Sequence, residues 1–326
     1  MWRFPCVRGA GRGAALSLAR PCRDGFGNHL VSVLSRPAAG AARGKTESHA
    51  MCELFAMSAS APVRVRYDLD SFAREGGERH RNRDGWGIVF AEGRDAHWFR
   101  EAAPAASSPL DRFVREHETP HRTVMAHVRR ASAGPPALVN THPFRRIHDG
   151  EVHHFAHNGT LHGLENDPGA RALIRHRVGD TDSELAFLLF LDRLRRHGPA
   201  RSDIDARFAL FRRFARDMAA LGPANFLWFD GATLFVHADR RVHETQAGPT
   251  PPQPPGLHIL RPGPGGLGQS HDCTGARLKD LPEHVTLFAS VPLSAADWEP
   301  LAQGCALAVA DGRILRQAAT GESGTE

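Results

Sequence analysis

A methionine–cysteine pair at positions 51 and 52 could place a reactive group at a chain terminus. If Met51 is the true initiator, its removal leaves Cys52 as the first residue. A terminal cysteine carries a nucleophilic thiol and a free α-amine, whose ordinary pKa of about 7.7–8.0 suits a general base. Cys52 could therefore supply both the nucleophile and its base. The alternative for a lone cysteine is an inert, buried side chain.

Two further motifs have side chains that could act on a carbonyl substrate. In the motif at 156–160 (AHNGT), the Asn158 amide and the Gly159 main-chain N–H can point at one spot, as an oxyanion hole requires. In the motif at 127–132 (HVRRAS), an arginine at a strand end can grip a carboxylate with two hydrogen bonds. The structural alternatives are an ordinary Asn-Gly turn and a solvated surface charge.

Glycine and acidic residues define two more motifs. The glycines at 84–88 (DGWGI) allow close backbone approach, although a structural turn is the simpler interpretation. At 179–184 (GDTDSE) a carboxylate could bind an ammonium group. The same residues are typical of a helix N-cap whose acids complement the dipole. Each motif is weak evidence when it is taken alone.

The pattern of apolar residues predicts the elements that must position these motifs. Alternation, short apolar runs and turn pairs predict strands at 52–58, 85–90, 96–99, 123–130, 151–157, 225–229, 233–237, 285–291, 306–310 and 313–315. Helical spacing predicts helices at 110–117, 182–197 and 204–221. Loops are expected at 76–83 and over the Pro/Gly-rich stretch 248–266. Strands, then helices, then strands indicate one α+β domain.

Composition places the chain among soluble globular proteins, with 41% hydrophobic and 24% charged residues. Residues 1–50 hold eight basic and two acidic residues, which leaves 33 basic and 34 acidic residues in the rest. The near-neutral body predicts no nucleic-acid partner. No run of about 18 apolar residues is present, so no membrane-spanning helix is expected.

The first fifty residues differ from the body and are expected to be disordered. Three explanations stay open: a wrongly assigned start codon, which we favour, a propeptide that is removed, or an Arg-rich transit-like arm. Cysteines at 6, 22, 52, 273 and 305 show no disulfide or zinc spacing, which favours a reducing cytoplasm. The expected domain spans 52–315, followed by a polar, disordered tail at 316–326.

Taken together and in order, the motifs resemble those of a known enzyme family. Met51 to Leu54 (MCEL), 84–87 (DGWG), 140–144 (NTHPF), 156–159 (AHNG) and 180–184 (DTDSE) resemble the class II glutamine amidotransferases, a branch of the N-terminal nucleophile (Ntn) hydrolases. The likeness is greatest to the small stand-alone members. It covers roughly residues 51–310 and is more specific to the superfamily than to a substrate.

This resemblance implies a fold, a reaction and a role for each site residue. The fold would be an αββα four-layer sandwich. Cys52 would be the nucleophile, Asn158 and the Gly159 N–H the oxyanion hole, Arg129 the partner of the substrate α-carboxylate and Asp182 that of its α-ammonium. Attack on a γ-amide would form a γ-glutamyl thioester that water hydrolyses, with no metal or organic cofactor.

Two features depart from the family pattern. With residues 1–50 attached, Cys52 has no free α-amine. Large members of the family also join this domain to an ammonia-using synthase domain, for which this chain has no room. The body is therefore expected to be a free-standing amide hydrolase, or a glutaminase subunit that needs a synthase partner. Glutamine is the default substrate and a γ-glutamyl peptide or thiol conjugate the alternative, with a homo-oligomer left open.

Two other functions are compatible with parts of the sequence. A metal hydrolase would use the sequence cluster His142, His148, His153, His154, His157 and His162. However, His153 and His157 share one face of the expected strand while His154 faces the other, and no HExxH or CxxC motif is present. A non-catalytic protein that senses a glutamyl ligand would have no need of the nucleophile.

Overall fold

The computed structural model describes residues 52–67, 84–117, 119–130, 134–198, 200, 203–262, 271–273, 276–279, 281–294 and 296–319. The expected leader at 1–50 and the expected loop at 76–83 lie outside the described residues. The described strands, in chain order, are β1 (Glu53–Tyr67), β2 (Trp86–Glu92), β3 (Asp95–Glu101), β4 (Pro120–Val128), β5 (Phe144–His148), β6 (Glu151–Gly159), β7 (Ala224–Phe229), β8 (Leu234–Ala238), β9 (Glu244–Thr245), β10 (Gly248–Pro249), β11 (His258–Leu260), β12 (His271–Cys273), β13 (Ala276–Lys279), β14 (Val285–Ala289), β15 (Glu299–Pro300), β16 (Cys305–Ala310) and β17 (Arg313–Ala318).

The first sheet is built around β1, which begins directly after Cys52. Its order is β15–β11–β14–β1–β4–β2–β3, with β12 and β13 attached beside the far end of β1. The first half of β1 pairs antiparallel with β14 on one side and with β4 on the other. Because the first half of β1 is paired on both sides, Cys52 lies directly before a strand segment that is fixed within the sheet.

The second sheet carries the Asn-Gly motif at the end of one of its strands. Its order is β17–β16–β8–β7–β6–β5. The hairpins expected at Asp230-Gly231 and Asp311-Gly312 are confirmed, joining β7 to β8 and β16 to β17. Gly231 and Gly312 take positive φ angles of 88° and 71°, which favour glycine.

Four α-helices lie within the described residues: α1 (Pro109–Glu116), α2 (Pro168–Leu173), α3 (Asp182–His197) and α4 (Ile204–Ala219). Thr181 caps α3, since its side chain accepts a hydrogen bond from the Glu184 N–H, and Gly198 ends it in the left-handed conformation. Within the described part of the chain, no helix is long and apolar enough to cross a membrane.

Three buried clusters show the layering. One packs α1 residues against the outer face of the first sheet, one packs α3 and α4 against the outer face of the second, and the third fills the space between the sheets. Leu54 and Ala56 of β1 face the inter-sheet cluster, while Phe55 and Met57 face the outer one. The predicted αββα sandwich is confirmed.

Some elements differ from the sequence-based expectation. The expected loop at 248–266 contains β11, which pairs with β14, and β5, β12, β13 and α2 were not predicted. The last strand continues to Ala318, beyond the domain end expected at 315, because residues 316–318 pair with β16. Short or Pro/Gly-rich strands depend on a partner strand for their hydrogen bonds, and local pattern does not reveal that partner.

Buried neutral histidines should make the fold sensitive to acid. Burial lowers the pKa of His154 to about 3 from its ordinary 6.5, with a smaller lowering by Arg145. Below pH 6.5, His154 binds a proton in the unfolded chain but not in the folded chain. The free energy of unfolding therefore falls as the pH drops from 6.5 toward 3. At pH 5.0 the loss from His154 should be about 2 kcal/mol.

Urea unfolding of the His154→Gln variant at pH 8.0 and pH 5.0 measures this contribution. We expect the difference in free energy of unfolding between the two pH values to shrink by about 2 kcal/mol relative to the unsubstituted chain. His162→Gln, at an exposed histidine, is the matched control. An unchanged difference in His154→Gln would contradict the assignment.

Candidate active site

Cys52 sits where β1 begins, against the end of the neighbouring strand β4. Glu53 pairs with Val128, which brings Cys52 level with the residues that follow β4. The Cys52 thiol donates to the Arg130 carbonyl oxygen at 3.1 Å, and the Arg130 N–H donates back to the sulfur at 3.2 Å. These two contacts fix the position of the sulfur.

The surroundings of Cys52 oppose thiolate formation in this chain. Burial raises the pKa of the Cys52 thiol from 9.0 to about 11, against opposing contributions from the Arg130 hydrogen bond and the Arg129 charge. A thiol with this pKa is almost wholly protonated at neutral pH. Cys52 therefore needs a base beside it in order to react.

Asn158 reaches Cys52 from the opposite sheet. It lies near the end of β6, and its Nδ2 donates to the Cys52 carbonyl oxygen at 2.5 Å and to Ser290 Oγ at 3.4 Å. The main-chain carbonyl oxygen of Asn158 accepts a hydrogen bond from Asn225 Nδ2 at 3.0 Å. The candidate oxyanion-hole amide is thus brought to the candidate nucleophile.

Gly159 ends β6 in a conformation that favours glycine. Its φ is 153°, and a Cβ there would lie 1.8 Å from the Pro223 carbonyl oxygen. The sequence-based alternative, an ordinary turn, does not describe this pair, because Asn158 and Gly159 are strand residues paired with Asn225 and Ala224.

Arg129 is buried beside Cys52, the candidate nucleophile, rather than solvated at the surface. Its guanidinium donates to the Gly134 carbonyl oxygen at 3.1 Å and to the Asp84 carbonyl oxygen at 3.4 Å. Burial lowers its pKa, while the neighbouring Cys52 and Asp84 raise it. A buried guanidinium is a suitable partner for a carboxylate because its planar fork can form two parallel hydrogen bonds.

Asp182 is the first residue of α3 and contacts the segment that follows Asn158 and Gly159. Its Oδ2 accepts the Leu161 N–H at 2.6 Å, and Ser183 Oγ donates to Oδ1 at 3.4 Å. The N-cap alternative applies to Thr181, and Asp182 lies in the first turn, where its charge also complements the dipole. The ligand and helix-capping interpretations of this motif are compatible.

The motif at 84–88 acts through close packing. A Cβ at Gly87 would lie 2.2 Å from the His142 carbonyl oxygen, and Trp86 is fully buried. Asp84 and Gly85 exchange main-chain hydrogen bonds with Arg129. The structural interpretation of this motif agrees with the contacts, which hold the end of β4 in place.

Two buried polar residues near Cys52 and Asn158, Ser290 and Asn225, are not among the residues that the sequence motifs indicate. Ser290 Oγ accepts the Leu54 N–H at 2.9 Å as well as the Asn158 amide. Asn225 ties Asn158 to the main chain of Arg240 and Asp239. Ser290 follows an apolar strand and Asn225 opens one, so neither stands in a recognisable local motif.

Glu53, the residue after Cys52, forms a buried two-point ion pair with Arg241. Arg241 donates to its two carboxylate oxygens at 2.7 Å and 3.1 Å, and both side chains are at most 4% exposed. Removing one partner of a buried ion pair is strongly destabilising, because it leaves the other charge buried without compensation.

Breaking this ion pair on one side should therefore have a large cost. Arg241→Met is expected to lower the free energy of unfolding by about 3–5 kcal/mol, measured by urea denaturation at pH 7.5. The double variant Glu53→Gln/Arg241→Met should recover much of that loss. Arg316→Met, which removes an exposed pair with Asp205, is the control. Equal effects of Arg241→Met and Arg316→Met would refute the expectation.

The histidine cluster does not converge on one point. His153 accepts from Trp228 Nε1, His157 contacts Ser183 Oγ and the Pro223 carbonyl oxygen, and His142 packs on the rings of His127 and Phe144. Over the part of the chain that the structure describes, no group of three His, Cys, Asp or Glu side chains is arranged to hold a metal ion.

Two facing antiparallel sheets with outer helices, and a cysteine at the start of a central strand, define a protein of the Ntn-hydrolase type. The family model for the class II glutamine amidotransferases matches residues 51–325. The chain belongs to this family, whose general chemistry is hydrolysis of the glutamine amide.

Individual relatives agree with this assignment. The chain is 33% identical over 194 residues to YafJ of Escherichia coli (strain K12), provisionally named a glutamine amidotransferase, covering 59% of this chain and 75% of YafJ. A crystal structure titled "predicted glutamine amidotransferase" from Pseudomonas aeruginosa PA01 superposes with a TM-score of 0.59 at 26% identity, covering 81% of this chain and 100% of that one. The fold is also similar to that of glutamine phosphoribosylpyrophosphate amidotransferase from B. subtilis (TM-score 0.50, 14% identity, 82% of this chain and 49% of that one).

Proposed function

We propose that Cys52, as the first residue of the acting chain, attacks the γ-amide carbonyl of glutamine or a γ-glutamyl compound. The α-amine takes the thiol proton as the sulfur–carbon bond forms. Collapse of the tetrahedral intermediate expels ammonia, or the departing amine, which carries that proton away. Water then adds to the γ-glutamyl thioester, releasing a γ-carboxyl product and restoring the thiol.

The contact between Asn158 and Cys52 carries this proposal. An amide donor that lies 2.5 Å from the main-chain oxygen of Cys52 supports a role in binding a carbonyl oxygen beside the sulfur. The second Asn158 contact, to Ser290 Oγ at 3.4 Å, is long and weak. We infer that the oxyanion replaces Ser290 as a partner of Asn158, with the Gly159 N–H as the second donor.

The charges of Arg129 and Asp182 suit the other end of a glutamyl group. An α-carboxylate can take two hydrogen bonds from the guanidinium, and an α-ammonium can bind the Asp182 carboxylate at Oδ1, where the contact with Ser183 is long. A free amino acid end would be held at both charges. Peptides with a blocked α-amine should then be poor substrates.

The thiol, amine, amide and water supply every step, so this mechanism needs no metal or organic cofactor. Glutamine is the proposed substrate, with γ-glutamyl peptides and thiol conjugates as further ones. Rapid ammonia release by the purified chain would identify a free-standing hydrolase. Thioester formation with slow release would indicate a glutaminase subunit that requires a synthase partner.

Turnover by a chain expressed from Met51, whose initiator is removed, tests the proposal. We expect ammonia release from glutamine, and Cys52→Ser should lower kcat/KM by at least about 10³-fold. Cys305→Ser, at a buried cysteine of the inter-sheet cluster, is the control. Intact-mass detection of an acid-quenched glutamyl adduct would support the thioester. Undiminished turnover in Cys52→Ser, or none on any γ-glutamyl compound, would refute the proposal.

A further inference from the structure

Asn140 is a fully buried polar side chain that lies between the two segments proposed to bind the α-end of the substrate. It ends a short 3₁₀ turn (Leu138–Asn140) and is 0% exposed. Its Oδ1 accepts the Asp180 N–H at 2.8 Å, and its Nδ2 donates to the Pro135 carbonyl oxygen at 3.1 Å. One side chain therefore joins the segment at 134–140 to the segment that leads into α3.

Each of these segments carries one of the charged groups. In the first segment, the Gly134 carbonyl oxygen accepts a hydrogen bond from the Arg129 guanidinium at 3.1 Å. Asp180, in the second, is two residues before Asp182. Hydrogen bonds thus join Arg129 to Gly134, the adjoining Pro135 to Asn140, and Asn140 to Asp180, two residues before α3 begins.

Close packing leaves no room for this link to shift. A Cβ at Gly134 would lie 2.8 Å from Asn140 Nδ2, and one at Gly179 would lie 2.2 Å from Asn140 Oδ1. The buried Glu184 carboxylate fixes the same segment from the other side, accepting the N–H groups of Val178 and Gly179 at 2.9 Å and 2.8 Å. The segment at 178–180 is therefore held from both sides.

We propose that Asn140 is a positioning residue that sets the spacing between Arg129 and Asp182, and so selects substrates with both a free α-carboxylate and a free α-ammonium. This inference rests on the proposed function, since it takes those two groups as the α-end ligands. Asn140 acts through the two segments and does not touch the reacting atoms. Its loss should weaken binding of the α-end and leave the chemical step largely intact.

Asn140→Ala, in the chain expressed from Met51, tests the proposal by a split between kinetic constants. We expect KM for L-glutamine to rise about tenfold with kcat changed less than about threefold, the pattern of lost uniform binding. With glutaramate, which lacks the α-ammonium, or 4-aminobutanamide, which lacks the α-carboxylate, the effect should fall below about twofold. A general loss of structure would affect all three substrates alike.

Two further variants guard against an uninformative result. Thr141→Val removes a neighbouring hydrogen bond, from Thr141 Oγ1 to the Ala137 carbonyl oxygen, without touching the Asp180 link, and should leave KM within about twofold. Gly179→Ala disturbs the hydrogen bond of Asn140 from the side of Asp180 and should give the kinetic pattern expected for Asn140→Ala. It replaces Asn140→Ala in the test if the Asn140→Ala chain does not fold.

The outcomes separate this inference from the proposed function. Glutamine binding to a Cys52→Ser chain, measured by calorimetry, should weaken about tenfold on adding Asn140→Ala even if turnover needs a partner. Unchanged binding, a fall in kcat alone, or an equal effect on the truncated substrates would overturn the role of Asn140 while leaving the hydrolase intact. Failure of the unsubstituted site to bind or turn over glutamine would overturn both.

Discussion

A chain that begins at Cys52 is expected to hydrolyse glutamine about 10²–10⁴-fold faster than one that retains Met51, because only the former has an α-amine to act as general base. The two chains compared differ only by Met51. They are obtained by treating the purified chain with methionine aminopeptidase or leaving it untreated, and the mass of each intact chain is checked. The full 326-residue chain should behave like the one that retains Met51.

The pH dependence separates the two forms. With Met51 retained, the Cys52 thiol must ionise unaided, and burial raises its pKa to about 11. Its turnover should therefore keep rising up to pH 11. With the amine free, the rate should rise through about pH 7.7–8.0 and then level off. Equal rates and identical profiles for the two chains would show that another group is the base.

Asn158→Leu should lower kcat by about 10²–10³-fold, because one donor to the oxyanion is lost. KM for glutamine should change little, since the role proposed for Asn158 is at the reacting carbonyl rather than at the α-end. Steady-state ammonia release across a range of glutamine concentrations measures both constants. Thermal unfolding of the variant verifies that the fold is retained without the Asn158 amide.

Ser290→Ala provides the comparison for this result. It removes the 3.4 Å contact to Asn158 and the contact to the Leu54 N–H, but leaves the Asn158 amide available to substrate. If Asn158 binds the oxyanion, Ser290→Ala should be far less damaging to kcat than Asn158→Leu. Comparable losses in both variants would indicate that Asn158 only supports the fold.

Elements with strong local signals were predicted well. The helices α3 and α4 and the two Asp-Gly hairpins match the expectation, because caps, turn residues and apolar spacing act within a few positions. The strand β11 lies inside a Pro-rich stretch and forms because β14 is beside it. The strand β17 likewise extends to Ala318 through pairing with β16, which no local pattern indicates.

The sequence by itself determined which reactive groups the protein has: a thiol after a methionine, an Asn-Gly pair, an arginine after a strand and an acidic segment that opens a helix. It also determined the family resemblance and the fold that follows from it. These features depend only on residue type and on short spacing, and both can be read directly from the sequence.

Only the tertiary structure decided which groups meet and what supports them. Asn158 and Ser290 are 132 positions apart, and Glu53 and Arg241 are 188 apart. Asn140 belongs to the motif at 140–144, but its link between Pro135 and Asp180 exists only in the folded chain. Such contacts form because packed sheets and loops bring distant buried polar groups together, where each must find a partner, and local periodicity carries no record of that pairing.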